Sequence, residues 1–274
     1  MSSVEEQGQD APRKLSPRTQ SFVQRMFRDP RYLLIGKTER FGRELIAFVE
    51  GCTVISSTGD VRGQVLINSE YELRLRPDGE RPYQHESLAD YYLSQEAPLG
   101  EDDLSVLREE SWQYYVRRNF AFLLEEFEQA RNDAEHNLSI WNLFDQADAG
   151  EDAKWYYLRW WPWIERDRAI AQALLFLQQG QLQQAATELY RAQRSIEQYE
   201  QRHASRYARE EEDERSLCVQ MKQHLSALTE ILREDEKLPI SMEGQLDQAA
   251  ARGDTEEVER LRREMILQAM GDED

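Results

Sequence analysis

The chain has few of the residues that build metal sites or disulfide frameworks. It contains two cysteines, Cys52 and Cys218, and four histidines among 274 residues. Two cysteines so far apart supply neither a disulfide framework nor a four-ligand zinc site. No stretch approaches the roughly 18 apolar residues that a membrane-spanning helix needs. The N-terminus has no apolar run typical of a signal peptide, so we expect a soluble, cytoplasmic protein without a cofactor.

Positive charge is also scarce. The chain has 34 Lys and Arg against 53 Asp and Glu, which gives a net charge of −19. Such a charge repels phosphate backbones, because duplex binding depends on clustered Lys and Arg that displace counterions. The longest basic cluster, Arg260–Arg263, lies among glutamates and is interpreted as a solvated helix face. We therefore expect neither direct nucleic-acid binding nor membrane contact.

Hydrophobic residues make up 40% of the chain, and their spacing changes from a strand period to a helix period along it. Residues 32–76 contain a β-branched run, Thr53-Val54-Ile55, and an alternating segment, Tyr71–Arg76, typical of strands. The predicted fold class is α+β, mainly α, with a small antiparallel β module, a helical middle domain and a C-terminal helical hairpin. The predicted divisions are a disordered polar tail (1–28), the β module (29–82), the helical domain (83–236) and the hairpin (238–274). A short helix is predicted at Phe22–Phe27, at the end of the tail.

Two patterns refine the helical middle domain. Apolar and small residues fall near one face of a single long helix: Trp112, Tyr115, Asn119, Leu123, Phe127 and Ala130. Farther on, a helical pair is predicted at 167–199, with small residues at Ala173, Ala185 and Ala192 and a turn at Gly180. This spacing resembles one tetratricopeptide repeat. No second copy follows, so we interpret the pair as ordinary helix packing within a larger domain.

The C-terminal residues predict two short amphipathic helices. Pro239 breaks the preceding helix and Ser241 can cap the next one. Gly253 ends that helix, and Asp254 with Glu257 three residues later predicts a capping box for the second. The apolar stripes are Met242, Leu246, Ala249 and Ala250 on the first helix and Val258, Leu261, Met265 and Ala269 on the second. Two short helices bury little surface alone, so docking on another surface stabilises them.

Seven residues of this hairpin match a known motif: Leu246, Ala249, Asp254, Glu256, Leu261, Arg262 and Met265. The segment resembles the UVR motif, which mediates contact between the helicase and nuclease subunits of bacterial excision repair. The motif also occurs in an activator of a bacterial protein-arginine kinase. The chain departs from it at Thr255, Val258, Glu259 and Arg263. The resemblance implies a link to DNA repair or stress response. The motif and the apolar stripes together predict docking on a partner, or self-association, through Leu246, Ala249, Val258, Leu261, Arg262 and Met265.

A looser resemblance covers the loop after the predicted sheet. Segments 73–82 and 85–92 are similar to those of bacterial proteins of unassigned function that end in a UVR motif. The resemblance supplies no reaction, but it makes Asp78, His85 and Glu86 a second candidate site. Ser87 is better interpreted as a helix cap than as a nucleophile, because no nucleophile-elbow pattern surrounds it.

Other candidate chemistry is weaker. The aromatic run Trp155–Trp163 suits either a ligand platform or packing between helices, and packing is favoured. Glu200 and His203 form half of a di-iron helical motif, whose second half is absent. Cys218 with His224 lies off helical register for a thiol catalyst. The sequence therefore favours a non-enzymatic interaction protein, with an enzyme or small-ligand-binding protein at the β–helix junction as the alternative.

Overall fold

A computed structural model of the chain describes residues 13–55, 61–95, 99–207 and 212–271. Three strands and a long series of helices fill these ranges, so the predicted α+β, mainly α fold class is confirmed. The strands are β1 (Tyr32–Arg40), β2 (Arg43–Ile55) and β3 (Val61–Glu72). The helices are α1 (Pro17–Phe27), α2 (Leu88–Leu93), α3 (Glu101–Leu123), α4 (Phe127–Gln146), α5 (Glu151–Leu158), α6 (Trp161–Gln178), α7 (Leu182–Arg202), α8 (Ala204–Tyr207), α9 (Glu212–Asp235), α10 (Met242–Ala251) and α11 (Thr255–Gly271).

The predicted disordered tail is wrong at residues 17–21, where α1 begins, and the helix predicted at Phe22–Phe27 is confirmed as the rest of α1. The Ser16 hydroxyl caps this helix by accepting from the Thr19 backbone N–H at 3.1 Å, and Pro17 begins it. Val23 and Phe27 are buried, and the Phe27 ring stacks on Phe122 of α3. Few apolar residues occur here, but α3 and α9 supply a surface on which they pack. Residues 1–12 of the predicted tail lie outside the described part of the chain.

The three strands form an antiparallel sheet in the order β1-β2-β3. Ile46 and Phe48 alternate on β2 and face inward, because side chains two residues apart share one face of a strand. They pack with Val116 and Phe120 of α3 in a small core. The opposite face includes Leu34, which is 68% exposed. The sheet therefore covers one side of α3. The strand predicted at Tyr71–Arg76 is wrong beyond Glu72, where β3 ends, and Leu73 is buried whereas Leu75 is 42% exposed.

The predicted long helix through residue 130 is wrong, because the chain reverses between α3 and α4. Glu125 has a φ of 59°, and the Glu126 backbone N–H donates to the Ala121 carbonyl at 2.8 Å. The reversal lays α4 against α3 and buries Phe127. Trp112, assigned to the inner face by periodicity, is 45% exposed. The helical period of the sequence does not reveal this three-residue break, because apolar residues continue on both sides of it.

The helical body is built on α6, which packs against α4, α7 and α9. Ala173, Ala185 and Ala192 are fully buried where α6 and α7 approach each other. Gly180 takes the turn between these helices with a φ of 75°, a conformation that favours glycine. The predicted helical pair at 167–199 thus corresponds to the facing parts of α6 and α7, and it lies within a continuous core.

The last two helices form a hairpin, which joins the body through α10 and α7. The preceding helix, α9, ends at Asp235, and Lys237 has a φ of 61° before the chain reaches Pro239. Within the described ranges, no helix has the length and apolar character that crossing a membrane requires.

Candidate functional site

The C-terminal hairpin is capped largely as its residues predict. The Ser241 hydroxyl accepts from the Gly244 N–H at 3.0 Å, and Asp254 Oδ1 accepts from the Glu257 N–H at 3.1 Å. The Glu257 carboxylate binds Arg260 at 2.6 Å, where the capping box predicts that it turns back to residue 254. This ion pair holds the pKa of Glu257 below its usual range, chiefly through the hydrogen bond from Arg260.

Two of the six predicted partner-binding residues are buried inside the hairpin. Ala249 and Leu261 are 0% and 1% exposed, and they belong to the two helices that pack on each other. Leu246, Val258 and Met265 are half-buried, and Arg262 is exposed. An apolar stripe identifies the face that a helix buries first, and here that face is used between α10 and α11.

The sequence analysis did not identify two exposed apolar residues of α11 as candidate binding residues. Ile266 and Leu267 are 59% and 68% exposed. They lie off the stripe of Val258, Leu261 and Met265, so periodicity assigned them no role. Apolar residues adjacent in sequence near the end of an amphipathic helix are the signal that could have identified them. They form the apolar part of the hairpin that faces solvent.

The hairpin joins the helical body through polar contacts between α10 and α7. Arg191 binds Glu243 at 2.7 Å, and the Tyr190 hydroxyl donates to Asp247. Burial and the Asp247 carboxylate raise the pKa of Tyr190 to about 12. Gly244 allows the close approach, because a side chain there would lie 3.0 Å from the Ser241 hydroxyl and 3.5 Å from the Tyr190 ring. Next to this seam is a cleft of about 350 Å³.

The second candidate site does not assemble as a catalytic group. Asp78 binds Arg76 at 3.0 Å and caps the Glu80 N–H at 2.9 Å. His85 lies against the edge of the Tyr91 ring, and Glu86 lines a small cleft of about 170 Å³. Among the described contacts, none joins Asp78, His85 and Glu86 to one another. The geometry therefore gives the alternative at the β–helix junction no converging catalytic side chains.

A different carboxylate, Glu110, organises this junction. Its fully buried side chain accepts from Arg76 at 3.0 Å and from His136 Nε2 at 3.0 Å. It also accepts from the backbone N–H groups of Leu88 and Ala89 at the start of α2. Burial alone would raise the pKa of Glu110, but the His136 and backbone hydrogen bonds outweigh it and lower that pKa. The carboxylate is saturated with donors, so its role is to join α2, α3, α4 and the loop after the sheet.

The aromatic run divides into two sets. Trp155, Tyr157 and Leu158 are buried in the helical core, as the packing interpretation expects. Tyr156 and Trp160 point outward, at 55% and 40% exposure. Both belong to the lining of a cleft between α3, α5 and α6. The run therefore contributes to the core on one side and to an open cleft on the other.

The remaining titratable candidates have structural partners. His203 packs against Trp155 and Tyr199, and Glu200 binds Lys222 at 2.7 Å. Cys218 is buried, and burial raises the pKa of its thiol, which opposes thiolate chemistry. In the described part of the chain, no group of three or more His, Cys, Asp or Glu is placed to hold a metal ion.

Comparison of the chain with protein-family models, with curated proteins and with solved structures finds no match in any of the three. The UVR resemblance of the C-terminal hairpin consequently stays a prediction made from its residues.

Proposed function

We propose that the chain is a non-enzymatic adaptor whose C-terminal hairpin docks on a protein partner. The observation behind this proposal is the solvent-facing pair Ile266 and Leu267 on α11. This helix packs on α10, and α10 in turn packs on α7. α11 is held by α10 on one face and exposes Ile266 and Leu267 on another, so its exposed face can insert into an apolar groove of a partner.

The net charge of the chain favours a different protein, over a second copy of the chain, as the binding partner. At a net charge of −19, two copies repel each other when they approach. A partner groove with an apolar floor complements the exposed pair Ile266 and Leu267. The UVR resemblance connects such a contact with DNA repair or stress response.

A pair of surface substitutions tests the proposal without removing the hairpin. We expect Ile266→Asp with Leu267→Asp to abolish capture of the partner, because the added carboxylates oppose burial in an apolar groove. Leu34→Asp is the matched control, since Leu34 on β1 has the same 68% exposure as Leu267. The measurement is quantitative affinity capture with each folded chain, followed by direct binding of the captured protein in purified form.

Three results are distinguishable. Loss of a purified, direct interaction in the double variant alone supports the adaptor function. Equal binding by the double variant and the Leu34→Asp control contradicts it. A concentration-dependent dimer in sedimentation, abolished by the same double variant, replaces the foreign partner with a second copy and also contradicts the proposal as stated.

A further inference from the structure

An aromatic-walled cleft lies between α3, α5 and α6, away from the C-terminal hairpin. Its volume of about 430 Å³ is within the range of small-molecule sites. Five aromatic side chains form its walls: Trp112, Tyr115, Tyr156, Trp160 and Trp163. Trp112, Tyr156 and Trp160 are each at least 40% exposed. Large rings left open around a cavity indicate a surface available to a ligand.

The floor of the cleft is polar and rigidly held. Ser111, Arg118, Asn137 and Tyr157 line it and are all buried. The Tyr157 and Ser111 hydroxyls are 2.6 Å apart. With its amide oriented to satisfy both neighbours, Asn137 accepts from Arg118 Nη1 at 3.1 Å. A buried polar network of this kind holds its side chains in one arrangement, so the floor is organised before any ligand arrives.

The buried charges below the floor leave positive charge in excess. Arg118 binds Asp167 at 2.9 Å, and Arg166 binds the same carboxylate at 2.5 Å. Arg166 also contacts His224 Nδ1, at 2.8 Å. Burial and the adjacent Arg166 lower the pKa of His224, so its ring is a neutral acceptor near pH 7. Two buried guanidinium groups therefore share one carboxylate, which favours an anion nearby.

The ring faces argue against a cationic ligand. Arg118 lies 5.3 Å from the centroid of Tyr115, and Arg166 lies 5.0 Å from that of Trp163. Arg159 lies within 5.3 Å of both Tyr156 and Trp160. Aromatic cages bind quaternary ammonium groups through open ring faces. Here the guanidinium groups lie beside the rings, and their positive charge would repel a cationic ligand while the exposed ring surfaces stay free to contact a ring.

We propose that this cleft binds a small planar aromatic anion. Its ring lies between the exposed side chains of Trp112, Tyr156 and Trp160, and its carboxylate or phosphate group points toward Arg118. Stacking supplies contact area that tolerates different rings. The charge-assisted hydrogen bond to a buried guanidinium supplies the preference for an anion.

Calorimetric titration of the full chain with matched probes tests this site. Naphthoate is compared with its neutral amide and with naphthylmethylamine, and adenosine monophosphate is compared with adenosine. We expect one anion of the two series to bind about tenfold or more tighter than its neutral counterpart, and the amine not to bind. The two series distinguish a carboxylate site from a phosphate site.

Two variants locate the binding. We expect Trp160→Ala to weaken the preferred anion by about fivefold to a hundredfold, the effect of losing one stacking ring. Tyr83→Ala removes a 68% exposed ring outside the cleft and should leave affinity unchanged. The proposal is overturned if neither anion binds at about 1 mM, if the neutral or cationic probes bind equally well, or if both variants behave alike.

Discussion

At the scale of single residues, the buried Glu110 carboxylate at the β–helix junction depends on the hydrogen-bond donors around it. Replacing it by Gln removes the charge that holds Arg76 and His136 and leaves a buried amide facing several N–H donors. We expect Glu110→Gln to lower the free energy of unfolding by about 2–4 kcal/mol at pH 7. Urea unfolding measures this loss, and Glu109→Gln, an exposed neighbour, is the control with little effect.

The loss also depends on pH with a defined sign. The pKa of Glu110 in the folded chain lies below the ordinary value of 4.5, so its stabilising contribution is fully present above that value. The contribution disappears as pH falls through the folded pKa. The difference in unfolding free energy between the natural chain and Glu110→Gln should therefore be constant near neutrality and narrow below about pH 4.5. A difference that grew on acidification would contradict this assignment.

At the scale of elements, the C-terminal hairpin depends on a small interior. Leu261 is 1% exposed between α10 and α11, and few other large side chains are available to fill its place. We expect Leu261→Ala to destabilise the hairpin by about 2–4 kcal/mol and to unfold it locally, because a short helix pair has little stability in reserve. Hydrogen exchange should then accelerate in α10 and α11 while α3, α4 and α6 stay protected.

Leu267→Ala is the comparison for this prediction, because Leu267 is 68% exposed and its truncation leaves no cavity. Hydrogen exchange in this variant should match that of the natural chain. Acceleration across the helical body in Leu261→Ala would mean that the hairpin and the body unfold together, contrary to the expected local opening.

At the scale of the whole molecule, Arg117 connects the sheet with two helical layers. It extends from α3 to bind Asp133 of α4 at 2.6 Å and donates to the Glu72 carbonyl, at the end of β3, at 2.7 Å. Arg117 and Asp133 are each 1% exposed. We expect Arg117→Met to lower the free energy of unfolding by about 3–5 kcal/mol, because it leaves a buried carboxylate without its cation. Thermal and urea unfolding both measure this change.

A double variant separates the ion pair from simple packing. Adding Asp133→Leu to Arg117→Met removes the isolated charge, so most of the lost stability should return. A remaining loss of roughly 1–3 kcal/mol reflects the backbone carbonyls of Glu72 and Leu75, both of which lose the Arg117 donor. If the double variant were no more stable than the single one, the connection between sheet and helices would depend on packing rather than on charge.

Local chemistry determined much of this protein from its sequence. The β-branched run Thr53-Val54-Ile55 in β2, the glycine turns at Gly180 and Gly253 and the caps at Ser241 and Asp254 depend on neighbours a few residues away. These features appear in the structure close to their predicted positions. The broad α+β, mainly α class follows from the same local periods, because each period reports which face a segment buries.

Only the tertiary structure decided which helix faces pack against each other and which cleft stays accessible to solvent. α1 is ordered because α3 and α9 offer it a surface, and the break at Glu125 turns a predicted single helix into two packed ones. The aromatic cleft joins Trp112 and Trp160, nearly fifty residues apart, above the buried Arg118. A sequence period cannot reveal such a site, because its side chains converge only after distant helices pack and its arginines resemble any solvated helix face.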